Sequence, residues 1–362
     1  MTIDTSVIEE LNDRYVRVSG NVDFNEMTST TLVVVGTGAS GQMIEGFVRL
    51  GIKRLYLFDL DTVEAKNLAA QNFTCDDIGL PKTEALKRRL EACEFERDNS
   101  AVPALEVVTG GDFLAISDDD IDELIRGEKA AGNRVLFIMA SDHHPVQARG
   151  SRIALWYDVT VFWVGIYRGG MAGEIIFFDR EHPLPCYRCI TRERYEYWDA
   201  NHLVDHRSGT TKTGAGRSAG LPMAASFIDA ILGHLVIGAI HKVIPDNPHG
   251  AFYRRLLAEK RNFIQTQLDP TYRLGDEDLF AQIEGKDIIS FNTLFQTEAH
   301  KADCPDCATV EQNWGGHFGM VAVLPWKRTD YTNTIPVSPH LDGQAPLASA
   351  PLAVPPFVYR GA

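Results

Sequence analysis

Four of the six cysteines fall into two Cys-x-x-Cys pairs, Cys186–Cys189 and Cys304–Cys307. A pair at this spacing grips one side of a tetrahedral ion. Two such pairs complete a closed four-cysteine zinc site of the structural kind, with no coordination position left for catalysis. Because the pairs are far apart in sequence, the metal would pin distant segments together. A second group is Gly36-Thr37-Gly38-Ala39-Ser40-Gly41, a G-x-G-x-x-G pattern between an apolar run and an amphipathic one. Its glycines permit a tight turn and close approach of backbone to phosphate, and the following helix start offers unpaired N–H groups. Asp59 follows about twenty residues on, at the end of "LYLFDL", where an acid commonly holds ribose hydroxyls. Up to this point NAD and ATP fit equally well.

These residues need elements to carry them. "TLVVVGTGASG" is a short apolar run meeting glycines, the pattern of a buried parallel strand. "QMIEGFVRLG" has helical spacing, "IKRLYLFDL" reads as a second strand, "KTEALKRRLEACEFERD" as an amphipathic helix and "LEVVTGG" as a third strand. "SDDDIDELIRG" opens with an N-cap and an acidic first turn, and "RVLFIMASD" is a fourth strand ending toward Asp142. The alternation predicts a doubly wound, Rossmann-like, mostly parallel sheet with its ligand at the carboxyl ends of the strands. "VTVFWVGIYRGGMAGEIIFFD" then reads as an antiparallel hairpin around Gly169-Gly170. The 192–222 stretch is polar and loop-like, "MAASFIDAILGHLVIGAIHKVI" is an apolar helix interrupted by Asp and His, and 251–300 has no clear pattern. The end is a Pro/Ala-rich tail.

The bulk composition narrows the classes. A chain of 362 residues with a net charge of −14 disfavours nucleic acid and anionic membranes as partners and suits small ligands or a protein. The acidic N-terminus lacks the apolar core of a signal peptide, and the expected compartment is the cytoplasm.

The ordered series Arg14-Tyr15-Val16-Arg17, "VVVGTGASG", "LFDLDTVEAKNLAAQNF", "DIGLPK", "ASDHH", "PCYRC" and "CPDC" resembles the ubiquitin-activating-enzyme-like adenylyltransferases, the HesA/MoeB/ThiF group. The resemblance runs from about Arg14 to Cys307. It implies activation of the C-terminal glycine of a ubiquitin-like or sulfur-carrier protein by ATP, giving an acyl-adenylate and pyrophosphate. Carried over position by position, it implies ATP contacts at Gly36, Gly38, Ala39, Gly41, Asp59, Asp61, Asn67, Gln71 and Lys82. Lys82 would stabilise charge on the attacked α-phosphate, and Asp142 would hold Mg2+ opposite the outer phosphates. Arg17, with Arg14 its weaker competitor, would reach a partner's ATP across a homodimer. The implied organisation is a leader at 1–29 and an adenylation domain at 30–325, with a crossover loop at 191–222 and a family-specific insertion at 251–300, then a tail at 326–362.

Three positions depart from the pattern. Ala39 replaces a loop glycine, and Ala70 stands where the family has a phosphate-facing arginine. No cysteine lies between Ile190 and Pro222 to carry a thioester, so any thiol-bearing acceptor is expected to be another molecule. Alternatives are adenylation of a small ribosomal peptide, an inactive partner subunit, or an NAD-dependent dehydrogenase. The last leaves Lys82, Asp142 and the four cysteines unexplained.

Overall fold

The computed structural model describes residues 15–93, 103–157, 159–167, 170–201, 221–268 and 291–307. Arg14, Gly169, most of the polar 192–222 stretch and the whole Pro/Ala-rich tail lie outside the described residues.

Among the described residues eight strands form one sheet: β1 (Thr30–Val35), β2 (Arg54–Phe58), β3 (Glu106–Gly110), β4 (Arg134–Met139), β5 (Thr160–Ile166), β6 (Ala172–Phe178), β7 (Phe263–Gln267) and β8 (Asn292–Gln296). Their spatial order is β3-β2-β1-β4-β5-β6-β7-β8. The pairings from β3 through β5 are parallel and those from β5 through β8 antiparallel. All six residues of β1, "TTLVVV", are buried, because a central parallel strand is covered on both faces and favours an unbroken β-branched run. The chain winds from β1 to β2 on one side and reaches β4 on the other. This opens a crevice at the carboxyl ends of β1 and β4.

The helices are α1 (Phe24–Thr28), α2 (Gly41–Arg49), α3 (Lys82–Ala92), α4 (Asp118–Ala130), α5 (His144–Trp156), α6 (Tyr187–Ile190), α7 (Arg192–Asn201), α8 (Pro222–Ile240) and α9 (Pro248–Ala258). α8 covers the face to which Gly173 turns, where a Cβ would meet Ile228. The next residue of β6, Glu174, turns to the opposite face and receives Arg194 of α7 at 2.5 Å. One described helix, Pro222–Val243, is long and apolar enough to cross a membrane by composition, and 56% of its most apolar window is buried inside the protein.

Two regions differ from the sequence expectation. The start of 191–222 is the helix α7 rather than loop. The unplaced 251–300 stretch contributes most of α9, and both β7 and β8 extend the main sheet. The helix α5 has no counterpart in the apolar periodicity. Its buried positions include Gln147, Arg149 and Ser151, satisfied by distant partners such as Asp118, which pairs with Arg149 at 2.8 Å.

The leader docks at the amino-terminal ends of the strands. The Asp23 N–H donates to His241 Nε2 at 2.6 Å, the Asn247 amide donates to the Asn21 carbonyl at 2.8 Å, and Arg134, at the start of β4, pairs with Glu26 at 3.0 Å. Asp23 also caps α1 by accepting from the Glu26 N–H at 3.1 Å.

Candidate nucleotide site and cysteine centre

The glycine loop leaves β1 at the crevice. Gly36 has φ +94°, and a Cβ there would lie 2.6 Å from the Ala140 backbone, so only glycine lets β1 and β4 close at this point. Gly38 has a different reason: a Cβ would meet the Gln71 carboxamide at 2.7 Å. Gln71 therefore lies directly over the loop, and its Oε1 is buried with no hydrogen-bond partner. A buried orphaned carboxamide oxygen next to a phosphate-type loop marks a place for a hydrogen-bond donor, such as a ligand hydroxyl. Ala39 is exposed, so its methyl group meets nothing that the replaced glycine would have avoided.

Asp59 locks the loop. Its Oδ2 accepts from the Thr37 N–H at 2.8 Å and the Thr37 hydroxyl at 3.1 Å, while Oδ1 accepts from the Asp61 N–H at 3.0 Å. A carboxylate has about four acceptor positions, so little capacity remains for a ribose. Asn67 is likewise committed on one side: its Oδ1 accepts from the Glu64 N–H at 2.8 Å and closes a capping box, leaving the amide donors. Lys82 begins α3 with its side chain only 7% exposed, and its Nζ pairs at 2.8 Å with Asp61, which is 56% exposed. Asp142 lies beyond β4 at the start of α5. Burial raises its carboxyl above the usual range, the charges of Asp61 and Asp59 add to this, and Lys82 opposes it. These four groups therefore share one electrostatic environment. Among the described residues the three carboxylates do not form a cluster able to hold a metal by themselves. A cation there needs further ligands, such as phosphate oxygens.

His144 carries no charge into the crevice. His143 is the N-cap residue of α5. His144 is pushed down to about 3 by burial and packs edge-on against Tyr195 with ring centroids 4.5 Å apart. Arg17 is exposed in the leader, at the end of the sheet opposite the glycine loop.

The cysteine pairs meet on the face carrying α6. Cys186 Sγ lies 3.8 Å from Cys189 Sγ and 3.7 Å from Cys304 Sγ, Cys189 and Cys307 are 3.4 Å apart, and all four thiols are buried. A zinc ion with Zn–S bonds of about 2.3 Å sets tetrahedral S···S edges of ~3.8 Å. A disulfide needs about 2.05 Å. The quartet thus fits a metal held by four thiolates, and the Lys301 N–H donates to Cys189 Sγ at 3.4 Å as an outer partner.

Two site residues are not evident in the spacing of the motifs. Thr37 occupies a variable position of the pattern, yet it is wholly buried and carries the bond to Asp59. Asp229 reaches the loop from α8, its Oδ1 accepting from the Ser40 hydroxyl at 3.1 Å. The only signal for Asp229 in the sequence is an acid inside an otherwise apolar helix.

A doubly wound sheet with a glycine loop at its switch point, a lysine and an aspartate across the crevice and a paired-cysteine centre defines an α/β protein of the Rossmann-like class. The ThiF family model matches residues 13–263, and the chain belongs to the ThiF family. It is 26% identical over 195 residues to ubiquitin-like modifier-activating enzyme 5 of Drosophila persimilis, covering 51% of this chain and 48% of that protein. It is 27% identical over 195 residues to the sulfur carrier protein adenylyltransferase of Thermus thermophilus, covering 50% of this chain and 64% of the relative. The chain thus spans between about half and two thirds of the length of these curated relatives. The fold is similar to E. coli MccB solved with ATP, with TM-score 0.51, 15% identity, and coverage of 81% of this chain and 74% of that one.

Proposed function

We propose that this chain is an ATP-dependent adenylyltransferase that activates the C-terminal carboxylate of a small ubiquitin-like or sulfur-carrier protein, forming an acyl-adenylate and releasing pyrophosphate. The observation that carries the reading is the gathering of Lys82 and Asp142 across the crevice from a loop roofed by the orphaned Gln71 carboxamide. A dehydrogenase needs neither a buried lysine nor an acid facing the phosphates, whereas adenylyl transfer needs both. In this reading the loop N–H groups and the amide N–H groups of Gln71 hold phosphate, filling part of the place left by Ala70. Lys82 leaves Asp61 for the α-phosphate, where it stabilises the charge that grows as the carboxylate attacks. Asp142 would hold Mg2+, which would supply positive charge against the phosphates. Asp59 acts first by fixing the loop through Thr37, with its remaining acceptor capacity toward the ribose. Zinc in the cysteine quartet is structural and takes no part in the chemistry.

The acceptor of the acyl group is a separate molecule. Of the free cysteines outside the quartet, Cys75 lies in a short acidic turn, and burial raises the thiol of Cys93, which disfavours the thiolate. The relatives are named for ubiquitin-like and sulfur-carrier partners, which supports a folded carrier with an extended tail. A short peptide substrate is the second reading, favoured by the similarity to a fold solved with MccA, TM-score 0.52.

The test is pyrophosphate exchange into ATP with the full chain and small proteins ending in glycine. Exchange dependent on one such carrier, and abolished in Asp142→Ala with metal content unchanged, is the expected result. Exchange that persists in Asp142→Ala would remove the site assignment. No carrier-dependent exchange, with a peptide substrate active instead, would move the reading to the second class.

A further inference from the structure

Ser40 occupies the N-cap position of α2, where a serine ordinarily accepts from a backbone N–H of the first turn. Here it makes no such cap. Its hydroxyl donates instead to Asp229 Oδ1 at 3.1 Å, across the contact between α2 and α8. Both partners are nearly sealed from water, at 3% and 7% exposure. An acid has thus been placed inside an apolar helix and aimed at the back of the loop that, on the reading above, receives an anionic nucleotide.

Among the described residues no other charge accompanies it. Glu45 and Arg49 of α2 pair with each other at 2.8 Å on the side facing Cys93, and β5 carries no ionisable side chain. Glu174 of β6 lies on the opposite face of the sheet with Arg194 and Tyr167. On α8 and α9, His234 and His249 pack edge to face, centroids 4.6 Å apart, and His241 bonds to the leader; the arginines of α9 bond to carbonyls or to Glu259. Burial pushes the Asp229 carboxyl up to about 7, with only the Ser40 hydroxyl opposing it. The group therefore changes charge near neutrality.

We propose that Asp229 is the positioning residue of the glycine loop and that its carboxyl takes up one proton from solvent when an anionic nucleotide occupies the loop, making nucleotide binding proton-linked. This rests on the ATP reading above. An ionised Asp229 opposes phosphate on the other side of a thin loop. Like charges separated by on the order of 7 Å, at an effective dielectric near 20, weaken binding by roughly tenfold to a hundredfold. The neutral carboxyl still accepts from Ser40, so the loop keeps its anchor while the repulsion disappears.

Calorimetric titration of the full-length chain with a non-hydrolysable ATP analogue and Mg2+ tests this, run between pH 6 and 8 in buffers of different ionisation enthalpy. The wild type is expected to take up about 0.4 to 0.8 of a proton near pH 8 and to bind roughly four- to eightfold more weakly there than at pH 6.5, after subtraction of the nucleotide's own titration. Asp229→Asn, which keeps the acceptor and removes the charge, should lose that uptake and bind more tightly than wild type at pH 8. Ser40→Ala removes the one group that lowers the carboxyl and should move the uptake to higher pH. Identical uptake and pH slope in wild type and Asp229→Asn would overturn the inference while leaving nucleotide binding intact. A wild type that binds no nucleotide at any pH overturns both this inference and the ATP reading.

Discussion

Lys82 sits nearly buried with one partner, and that partner is mostly in water. An exposed carboxylate holds a buried ammonium only loosely, because solvent screens the pair. On the proposed ATP reading phosphate offers a better exchange, and the ion pair to Asp61 would be a resting position for the lysine. Asp61→Ala should lower stability of the nucleotide-free chain by about 1 kcal/mol. It should also enlarge the thermal shift on adding MgATP, since phosphate then replaces a missing partner. An equal shift in both proteins would mean that Lys82 does not change partners. Asp229 makes a second prediction at this scale. Its folded carboxyl lies near 7, against about 3.9 in an unfolded chain. The unfolded state therefore releases this proton first. The native state loses stability as pH rises from about 4 to 7, and the loss is complete above 7, at most roughly 4 kcal/mol for a shift of ~3 pH units. Asp229→Asn should leave Tm nearly unchanged at pH 4 and raise it at pH 8. A larger gain at the acidic end would reverse the sign and remove the assignment.

At the scale of elements, the cysteine quartet joins α6 to a short segment that follows β8. Cys186 is the N-cap residue of α6 and Cys189 lies within it, while Cys304 and Cys307 come from the turn beyond His300. Arg188 adds an ion pair to Asp306 at 3.0 Å across the same junction. One zinc per chain is the expected content by metal analysis. Cys304→Ser should lower that content and reduce Tm by several degrees, because structural metal binding contributes directly to folding. An unchanged Tm in a zinc-free variant would show that the segment is held without metal. This junction was legible because paired cysteines keep their spacing whatever surrounds them. β1, β2 and β4 were legible for a similar local reason, their runs of buried β-branched and aromatic residues. α5 was not, since its burial of Arg149 and Gln147 depends on Asp118, Tyr187 and carbonyls brought in by tertiary contacts. β7, "FIQTQ", was hidden in the same way. Its Gln265 is buried because Tyr167, folded in from beyond the end of β5, supplies a hydroxyl at 2.7 Å. In the site, the glycine pattern pointed to phosphate, but Asp59 in service of Thr37 and Asp229 in service of Ser40 are pairings between segments that no spacing rule contains.

At the scale of the whole molecule, the leader and the glycine loop lie at opposite ends of the sheet. The leader is fastened through Asp23 to His241 and through Asn21 to Asn247, beside the start of β4. The glycine loop begins where β1 ends, and six residues of strand span about 20 Å. An Arg17 side chain cannot cross that distance within its own chain. If Arg17 serves a nucleotide, the nucleotide belongs to another copy, and in a twofold dimer each site then combines Arg17 of one chain with Asp142 of the other. Such an arrangement has a signature that a site within one chain lacks. Arg17→Ala and Asp142→Ala should each be nearly inactive in pyrophosphate exchange when assayed alone. After the two are mixed in equal amounts and allowed to exchange subunits, half of the dimers are mixed. Each mixed dimer has one site with both residues intact, so activity should recover to about a quarter of the wild-type value. Full activity in Arg17→Ala alone would retire the arginine. An inactive Arg17→Ala with no recovery, under conditions where tagged subunits demonstrably exchange, would place its function within a single chain and separate it from the nucleotide site.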